Sequence, residues 1–231
     1  IRIDRDEFKS HFYDERSEYV YTQYNFKTLT TRPANKFNGI NYAALNKDNG
    51  CRKSFIPRND EFIELDIGAY HPTLLGLLVG YDFGDEDIHK AFAKMYGVDY
   101  QKSKELTFKQ LYGGVFEQFK DLEFFQRVQI YVDDLWQRFN EEGYIECPVS
   151  KHVYRKDKLD DMKPQKLLNY VLQNLETAMN VRILWEMIRI LKGKKTKIVL
   201  YTYDSFLLDF SKDKYYEVNT DSSKLASISA A

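Results

Sequence analysis

The chain has 231 residues, of which 43% are hydrophobic and 16% aromatic, so it can bury a sizeable core as one large domain or two small ones. Its 34 basic and 35 acidic side chains nearly cancel, which argues against a general polyanion-coating protein but leaves room for a local basic groove. The two cysteines form no CxxC pattern and the four histidines show no metal-ligand spacing, so neither a disulfide scaffold nor a structural zinc site is indicated.

The sequence also carries no sign of a membrane segment. No apolar run reaches transmembrane length, and no signal peptide is visible. We therefore expect a cytoplasmic protein without a membrane partner. The chain begins at "IRIDRDEF" without Met, which indicates a fragment of a longer protein.

The first half of the chain predicts loops, then a strand, then helices. Residues 1–57 are polar and tyrosine-rich, with loop signals around "TRPANKFNGIN". "EFIELD" alternates and predicts a strand over 61–66 that ends at Asp66. "HPTLLGLLVG" predicts a buried helix with Pro72 in its first turn, and "DEDIHKAFAKMYG" predicts a second helix closed by a glycine.

The second half predicts longer helices and two hairpins. Helices are expected at about 101–113, 122–142 and 163–191, and "YIECPVSKHVYRK" reads as a hairpin. "KIVLYTYDSFLLDF" then predicts a buried strand pair with Asp204 in its middle, while the tail "NTDSSKLASISAA" is expected to fray. The order predicts an α+β fold.

Two aspartates at strand ends are candidates for metal chemistry. Asp66 and Asp204 are far apart in sequence, but two strands of one sheet would bring them together. Close carboxylates repel unless cations bridge them, and a pair of Mg²⁺ ions does this in enzymes that transfer phosphoryl groups. Each aspartate taken alone is better explained as a turn residue at a strand end, although a buried, unpaired carboxylate at 204 would be costly.

Three polar patterns are candidates for nucleotide or nucleic-acid binding. On "KELTFKQLYGG", Lys104, Phe108 and Tyr112 drift only about 80° around a helix, so a cation and two rings share one face that suits a nucleoside triphosphate. An ordinary amphipathic helix with a snorkelling lysine gives the same pattern. The other two patterns are Asn169 with Gln173 on the long helix, and the loop with Arg32, Asn35, Lys36 and Asn38, whose donors suit a nucleic-acid backbone or water.

In this order and at these spacings, the motifs resemble a family A DNA polymerase, the class of bacterial DNA polymerase I and many phage replicases. "LDIGAYHPTLLG" resembles the first palm motif, and "DEDIHKAFAKMYG" the segment after it. "KELTFKQLYGG" is similar to the fingers-helix motif, "NYVLQNLETA" to a primer-template-contacting stretch, and "LYTYDSF" to the last palm motif. The resemblance spans about residues 22 to 210.

This resemblance implies an α+β polymerase palm, whose antiparallel sheet carries the catalytic aspartates, together with helical fingers and without a thumb. The expected segments are an N-terminal palm or template-contacting part (1–60), the first palm motif (61–85), the fingers (86–142), the rest of the palm (143–210) and a C-terminal tail (211–231).

It also implies roles for individual residues. Asp66 and Asp204 are the expected catalytic residues and ligands of two Mg²⁺ ions. The expected nucleotide-binding residues are Lys104, Phe108, Tyr112, His71, His89 and Lys102, and the expected DNA-binding residues are Arg32, Asn38, Asn169, Gln173 and Tyr203. The expected partners are primer-template DNA, deoxynucleoside triphosphates and a replisome or processivity protein, in the host cytoplasm if a phage encodes the chain.

The chain departs from the family pattern in ways that keep alternatives open. Tyr203 and Ser205 flank Asp204 where the family has histidine and a second acid, and His71 replaces a glutamate that screens the sugar 2′ position. Tyr100 stands where an arginine often contacts the triphosphate, a role that Lys102 could take. The alternatives are a single-subunit RNA polymerase or sugar-lax polymerase, a catalytically inactive nucleic-acid-binding module, and a structural α+β domain.

Overall fold

The computed structural model describes residues 1–4, 18–35, 40–45 and 51–212. The strands are β1 (Arg2–Ile3), β2 (Tyr24–Asn25), β3 (Ala34–Asn35), β4 (Phe55–Ile56), β5 (Glu61–Asp66), β6 (Tyr144–Glu146), β7 (Val153–Arg155), β8 (Lys197–Thr202) and β9 (Ser205–Phe210). The helices are α1 (Tyr70–Val79), α2 (Ile88–Tyr96), α3 (Tyr100–Gly113), α4 (Glu123–Glu141) and α5 (Pro164–Ile190). Helices and small antiparallel sheets are thus mixed along the chain, as the α+β prediction requires.

The described residues divide into two compact units whose boundary falls within α5. One unit contains Ile1–Ile67 and the described residues from Met179 onward, and the other contains Gly68–Ala178. We call them the sheet unit and the helical unit. No helix among the described residues has the length and apolar character needed to cross a membrane.

The sheet unit is organised by an antiparallel sheet in the order β5-β9-β8. β5 and β9 pair along their whole length, from Glu61 opposite Phe210 to Asp66 opposite Ser205. One sheet face packs against the second half of α5 through the buried side chains of Met187, Leu191, Phe206 and Leu208. Because strand side chains alternate, Glu64 and Asp66 lie on the other face.

A buried carboxylate holds the segment that precedes β5. Asp209 of β9 is 7% exposed and accepts hydrogen bonds from the backbone N–H groups of Arg58 (2.9 Å) and Asn59 (2.8 Å). These charge-assisted bonds satisfy the carboxylate and hold the segment before β5 against β9. Asp209 is therefore a structural residue.

The helical unit contains α1 to α4, the β6–β7 hairpin and the first half of α5. Asp87 and Asp99 cap α2 and α3 by accepting hydrogen bonds from backbone N–H groups inside each first turn. One cluster of buried side chains joins α4, the hairpin and α5; it consists of Leu135, Phe139, Ile145, Tyr154, Leu167 and Val171. Packed aromatic rings, including Phe92, Phe124 and Phe125, join α2 and α4.

The predictions of local structure are confirmed for the strand at 61–66, the hairpin within 144–155 and the helices, with bounds shifted by a residue or two. Most of the C-terminal tail and Asn38 lie outside the described residues. The functional segment boundaries drawn from the resemblance stay predictions.

Candidate active site

Asp66 and Asp204 lie at the same end of the sheet. Asp66 is the last residue of β5 and pairs with Ser205, the residue after Asp204. Asp204 belongs to the two-residue turn that joins β8 to β9, and its carbonyl oxygen accepts a hydrogen bond from the N–H of Ile67 at 3.0 Å. Two aspartates separated by 137 intervening positions are therefore brought to the same end of the sheet by the pairing of β5 with β9.

Both aspartates line one cavity of about 470 Å³ on the sheet face that α5 does not cover. Glu64, Tyr42 and Arg52 also line it. Its walls mix carboxylates, a guanidinium and apolar side chains, and it contains no residue of the helical unit. The cavity is therefore a feature of the sheet unit alone.

The expectation that Asp204 is buried between apolar strands is wrong. Asp204 and Asp66 are both exposed, because the turn ends the β8–β9 hairpin at the solvent-facing edge of the cavity. The apolar residues before and after the turn point into the protein from regular strand positions, whereas a two-residue turn projects outward. No burial penalty has to be offset at Asp204.

The two aspartates provide two carboxylates, which is fewer ligands than a metal site made of protein alone requires. Among the described residues, no group of three or more His, Cys, Asp or Glu side chains is arranged to hold a metal ion. Mg²⁺ commonly binds through one or two carboxylates and completes its octahedron with water and phosphate oxygens. Exposed Asp66 and Asp204 beside an open cavity match that pattern better than an all-protein cage.

The turn that carries Asp204 has an unusual backbone. Tyr203 has φ +52°, a left-handed conformation that glycine and asparagine adopt more readily and that costs roughly 1–3 kcal/mol for other residues. The guanidinium of Arg32 lies 4.0 Å from the centroid of the Tyr203 ring. These two predicted DNA-binding residues therefore contact each other.

On α3, the predicted nucleotide-binding side chains share one face, as their spacing predicts. The Phe108 and Tyr112 rings lie 5.7 Å apart, and Phe108 is 56% exposed. The Lys104 ammonium lies 4.5 Å from the centroid of the Tyr100 ring, while Lys102 forms an exposed 3.2 Å ion pair with Glu105. Lys104 thus sits one turn from an exposed aromatic ring, with its charge held by a cation–π contact.

His71 is bound on both ring nitrogens. Its Nε2 lies 2.5 Å from a carboxylate oxygen of Glu176, and its Nδ1 forms a hydrogen bond with the hydroxyl of Tyr112. Glu176 is 1% exposed and His71 8%. The histidine therefore links α1 to α5 and to the C-terminal end of α3, all within the helical unit.

Sequence reasoning missed Glu176, although a signal was present. Asn169, Gln173, Glu176 and Asn180 recur at i, i+4, i+7 and i+11 on a helix that is otherwise rich in leucine. This spacing places them along one side of α5. Polar side chains on a buried helix need hydrogen-bond partners, so this row of four polar residues indicates a polar contact on α5. The spacing alone does not identify His71 as the partner.

The two predicted DNA-contacting amides of α5 also touch each other. Gln173 Nε2 donates a 3.0 Å hydrogen bond to Asn169 Oδ1, and both side chains are half-buried. Their role in DNA binding stays a prediction.

His89 is buried at 7% exposure, and its Nδ1 has no hydrogen-bond partner among the described residues. Its ring packs edge-on against Tyr100 at 6.0 Å. Burial, aided by the positive charge of Lys104 and partly offset by Asp87, lowers the pKa of His89 below its usual value. His89 therefore packs between α2 and α3, and its nucleotide-binding role stays a prediction.

This depressed pKa predicts a pH effect on stability. The unfolded chain binds the His89 proton more readily than the folded one, so stability falls as the pH drops below the unfolded pKa of about 6.5. We expect a His89→Gln variant to lose less free energy of unfolding than the wild type between about pH 7 and about pH 5. Urea unfolding at both pH values measures the difference, and equal losses in the two proteins would contradict the assignment.

Comparison with known proteins supplies a structural match. No protein-family model matches the sequence, and no curated protein matches it. The fold is similar to that of the POL domain of Pol1 from M. smegmatis, solved in complex with DNA primer-template and dNTP, with a TM-score of 0.68 and 16% sequence identity. The match covers 90% of this chain but 43% of that chain, so this chain spans less than half the length of its structural neighbour. At this identity the similarity establishes the fold, which is polymerase-like and built of helices and small antiparallel sheets.

Proposed function

We propose that the chain is the palm-and-fingers part of a template-directed DNA polymerase of the family A type, which serves phage or bacterial replication. It would add deoxynucleotides to a primer 3′ end. One observation carries the proposal: in a chain with a polymerase-like fold, strand pairing brings Asp66 and Asp204 to one open cavity. Exposed carboxylates at such a cavity suit a reaction of metal-bound phosphate esters.

In the proposed reaction, the primer 3′-oxygen attacks the α-phosphorus of the nucleotide. A new phosphorus–oxygen bond forms, the bond to pyrophosphate breaks, and the hydroxyl proton leaves to solvent. Two Mg²⁺ ions held by Asp66 and Asp204 would lower the pKa of the hydroxyl and stabilise the charge that develops on the phosphate oxygens. The two aspartates would hold the ions, and the cavity leaves room for water and phosphate ligands.

The incoming nucleotide would contact α3. Lys104 would exchange its contact with the Tyr100 ring for the triphosphate, since a phosphate group offers charge-assisted hydrogen bonds. The exposed Phe108 ring and the neighbouring Tyr112 ring would line the sugar and base, with His89 and Lys102 nearby on the same helical pair. Closure of such a fingers helix over a correct base pair is a gate of the kind that sets fidelity.

A Lys104→Ala variant should therefore bind nucleotide more weakly. Loss of a charge-assisted hydrogen bond corresponds to roughly tenfold to a hundredfold in nucleotide affinity. Steady-state incorporation at varied nucleotide concentration measures this as a rise in KM. Lys109→Ala is a matched control, because Lys109 is an exposed lysine on a different side of α3, and an equal rise there would contradict the role of Lys104.

The DNA would be held by Asn169, Gln173, Arg32 and Tyr203, with Asn38 as a further predicted contact. These groups supply amide, guanidinium and aromatic contacts of the kind that position a nucleic-acid backbone. Binding should weaken as salt rises because counterions are released from the phosphates. A processivity protein would compensate for the few contacts available to this part of the polymerase.

Primer extension by the full-length protein tests the proposal. A labelled primer-template is incubated with Mg²⁺ and deoxynucleotides, and the expected result is template-directed elongation that EDTA abolishes. If the protein binds primer-template at low salt without incorporation, the inactive-module alternative is correct. Absence of both binding and incorporation favours a structural domain.

Sugar selection decides between DNA synthesis and the RNA-polymerase or sugar-lax alternative. His71 stands at the position implied to screen the 2′ hydroxyl, and it is held by Glu176 and Tyr112. We propose preference for deoxynucleotides. Competing ribo- and deoxyribonucleotides in the same assay give the ratio of kcat/KM values, and a ratio near one would support the alternative.

A further inference from the structure

The Tyr203–Asp204 turn needs support from outside the hairpin. Its first residue, Tyr203, has a left-handed φ of +52° without being glycine or asparagine. A strained backbone of this kind persists only where its surroundings over-determine it. The contacts around the turn must therefore hold Tyr203 in this conformation.

Asn180 of α5 provides the first of these contacts. It is fully buried, and its Nδ2 donates to the carbonyl oxygen of Tyr203 at 2.5 Å and to the hydroxyl of Tyr201 at 3.1 Å. Both amide hydrogens are thus committed to the end of β8 and the turn. The same helix packs against the sheet through Met187 and Leu191, so Asn180 is fixed to the body of the sheet unit.

Tyr24 and Arg32 provide the other contacts. The Tyr24 hydroxyl donates to the carbonyl of Tyr201 at 2.7 Å and accepts from the N–H of Tyr201 at 3.2 Å, which satisfies backbone groups of the outer strand β8. Arg32 lies over the Tyr203 ring at 4.0 Å. The turn is therefore held at its backbone by α5 and at its side chain by Arg32.

The held turn contains Asp204 and lies directly beside Asp66. The Asp204 carbonyl accepts from Ile67 N–H at 3.0 Å, and Ile67 follows Asp66. Metal-binding groups must be kept within about 0.5 Å of their productive positions by supporting contacts. A shift of the turn would move Asp204 relative to Asp66.

We propose that Asn180 is a positioning residue that fixes the Asp204 carboxylate for metal binding. Tyr24 supports the same position through its hydrogen bonds to the backbone of Tyr201. This inference rests on the proposed function, because it assumes that Asp204 is a metal ligand. Asn180 contacts neither metal nor substrate; it acts through the carbonyl oxygen of Tyr203.

The test compares two buried asparagines of α5. Asn180→Leu keeps the approximate size and removes the hydrogen-bond donors, and Asn174→Leu does the same at a fully buried position whose partner is Ser150. Mn²⁺ binding is followed by electron paramagnetic resonance without nucleotide, and the Mg²⁺ dependence of primer extension is measured on the full-length protein. Melting temperatures report the structural cost of each substitution.

We expect Asn180→Leu to weaken Mn²⁺ binding and to lower kcat by about tenfold, the factor that corresponds to one lost hydrogen bond of ordinary strength. The KM for nucleotide should stay within about twofold, since Lys104 is untouched. Asn174→Leu should retain wild-type metal binding even if it melts earlier. Equal effects of the two variants on Mn²⁺ binding would show that Asn180 is only structural.

Tyr24→Phe keeps the test decisive if Asn180→Leu does not fold. It deletes one hydroxyl and should weaken Mn²⁺ binding by a few-fold in the same direction. Unchanged Mn²⁺ binding in this variant would then overturn the proposed positioning role. If the wild type incorporates nucleotide and Asn180→Leu binds Mn²⁺ and extends primers equally well, the inference fails and the proposed function stands. If the wild type never incorporates nucleotide but Asn180→Leu alone loses Mn²⁺ binding, the proposed function fails and the positioning role of Asn180 stands.

Discussion

Replacement of Asp66 or Asp204 by alanine should lower primer extension on the order of 10³-fold. Each change removes a proposed ligand of the Mg²⁺ ions, which supply several kcal/mol of transition-state stabilisation. Because the two aspartates act through the same ions, the double variant should be hardly slower than either single variant. Single-turnover incorporation with saturating nucleotide measures the loss in the chemical step.

A control on the same strand separates this effect from general damage to the sheet. Glu61 is an exposed carboxylate at the opposite end of β5, where it pairs with Phe210. Glu61→Ala removes the same charge without touching the cavity, so it should retain extension within about twofold, as surface substitutions usually do.

The outcome also bears on Ser205. Ser205 is buried and lines the same cavity, and its hydroxyl lies 2.8 Å from that of Thr202, so this position next to Asp204 supplies a hydroxyl group and no carboxylate. Undiminished extension by Asp66→Ala or Asp204→Ala would contradict the metal assignment. A loss of extension in both variants would indicate that two aspartates suffice for metal binding without an acidic residue at position 205.

Local elements were predictable because their signals are local. The strand at 61–66 alternates, and Asp87 and Asp99 precede apolar helical spacing as caps do. The meeting of Asp66 with the Asp204 turn was also predictable, as a pair of strands in one sheet, although only the ordered motifs favoured that pairing over two unrelated turns. Register then placed Asp66 opposite Ser205.

Side-chain contacts between distant segments were not predictable. His71 and Glu176 are 105 positions apart, and nothing in the stretch around either residue specifies the other. The exposure of Asp204 was missed for a related reason: the apolar run on each side indicates a buried strand, but the position of a tight turn between them decides whether the polar residue faces solvent. Arg32 on Tyr203 is likewise a tertiary contact.

Removal of either member of the His71–Glu176 pair should strongly destabilise the helical unit. Glu176→Leu leaves a buried imidazole without its acceptor, and His71→Leu leaves a buried carboxylate without its donor. Breaking a buried pair in this way costs about 3–5 kcal/mol. For a chain of this length the loss corresponds to a fall in melting temperature on the order of 10 °C.

The matched control is an acidic residue on the same helix. Glu186 forms an ion pair with Arg189 at 2.6 Å that is largely exposed on the arginine side. Glu186→Leu should cost less than about 1 kcal/mol, since surface ion pairs contribute little. If Glu176→Leu melts at the same temperature as Glu186→Leu, the buried pair does not stabilise the fold.

The double variant His71→Leu/Glu176→Leu shows whether the cost comes from the lost interaction or from the group left behind. Each single change removes one side of the His71–Glu176 contact and leaves the other group buried, whereas the double change removes both groups. We therefore expect the double variant to lose clearly less than the sum of the two single losses, a coupling that thermal or urea unfolding of all four proteins measures. Simple additivity would mean that His71 and Glu176 stabilise the unit through separate contacts.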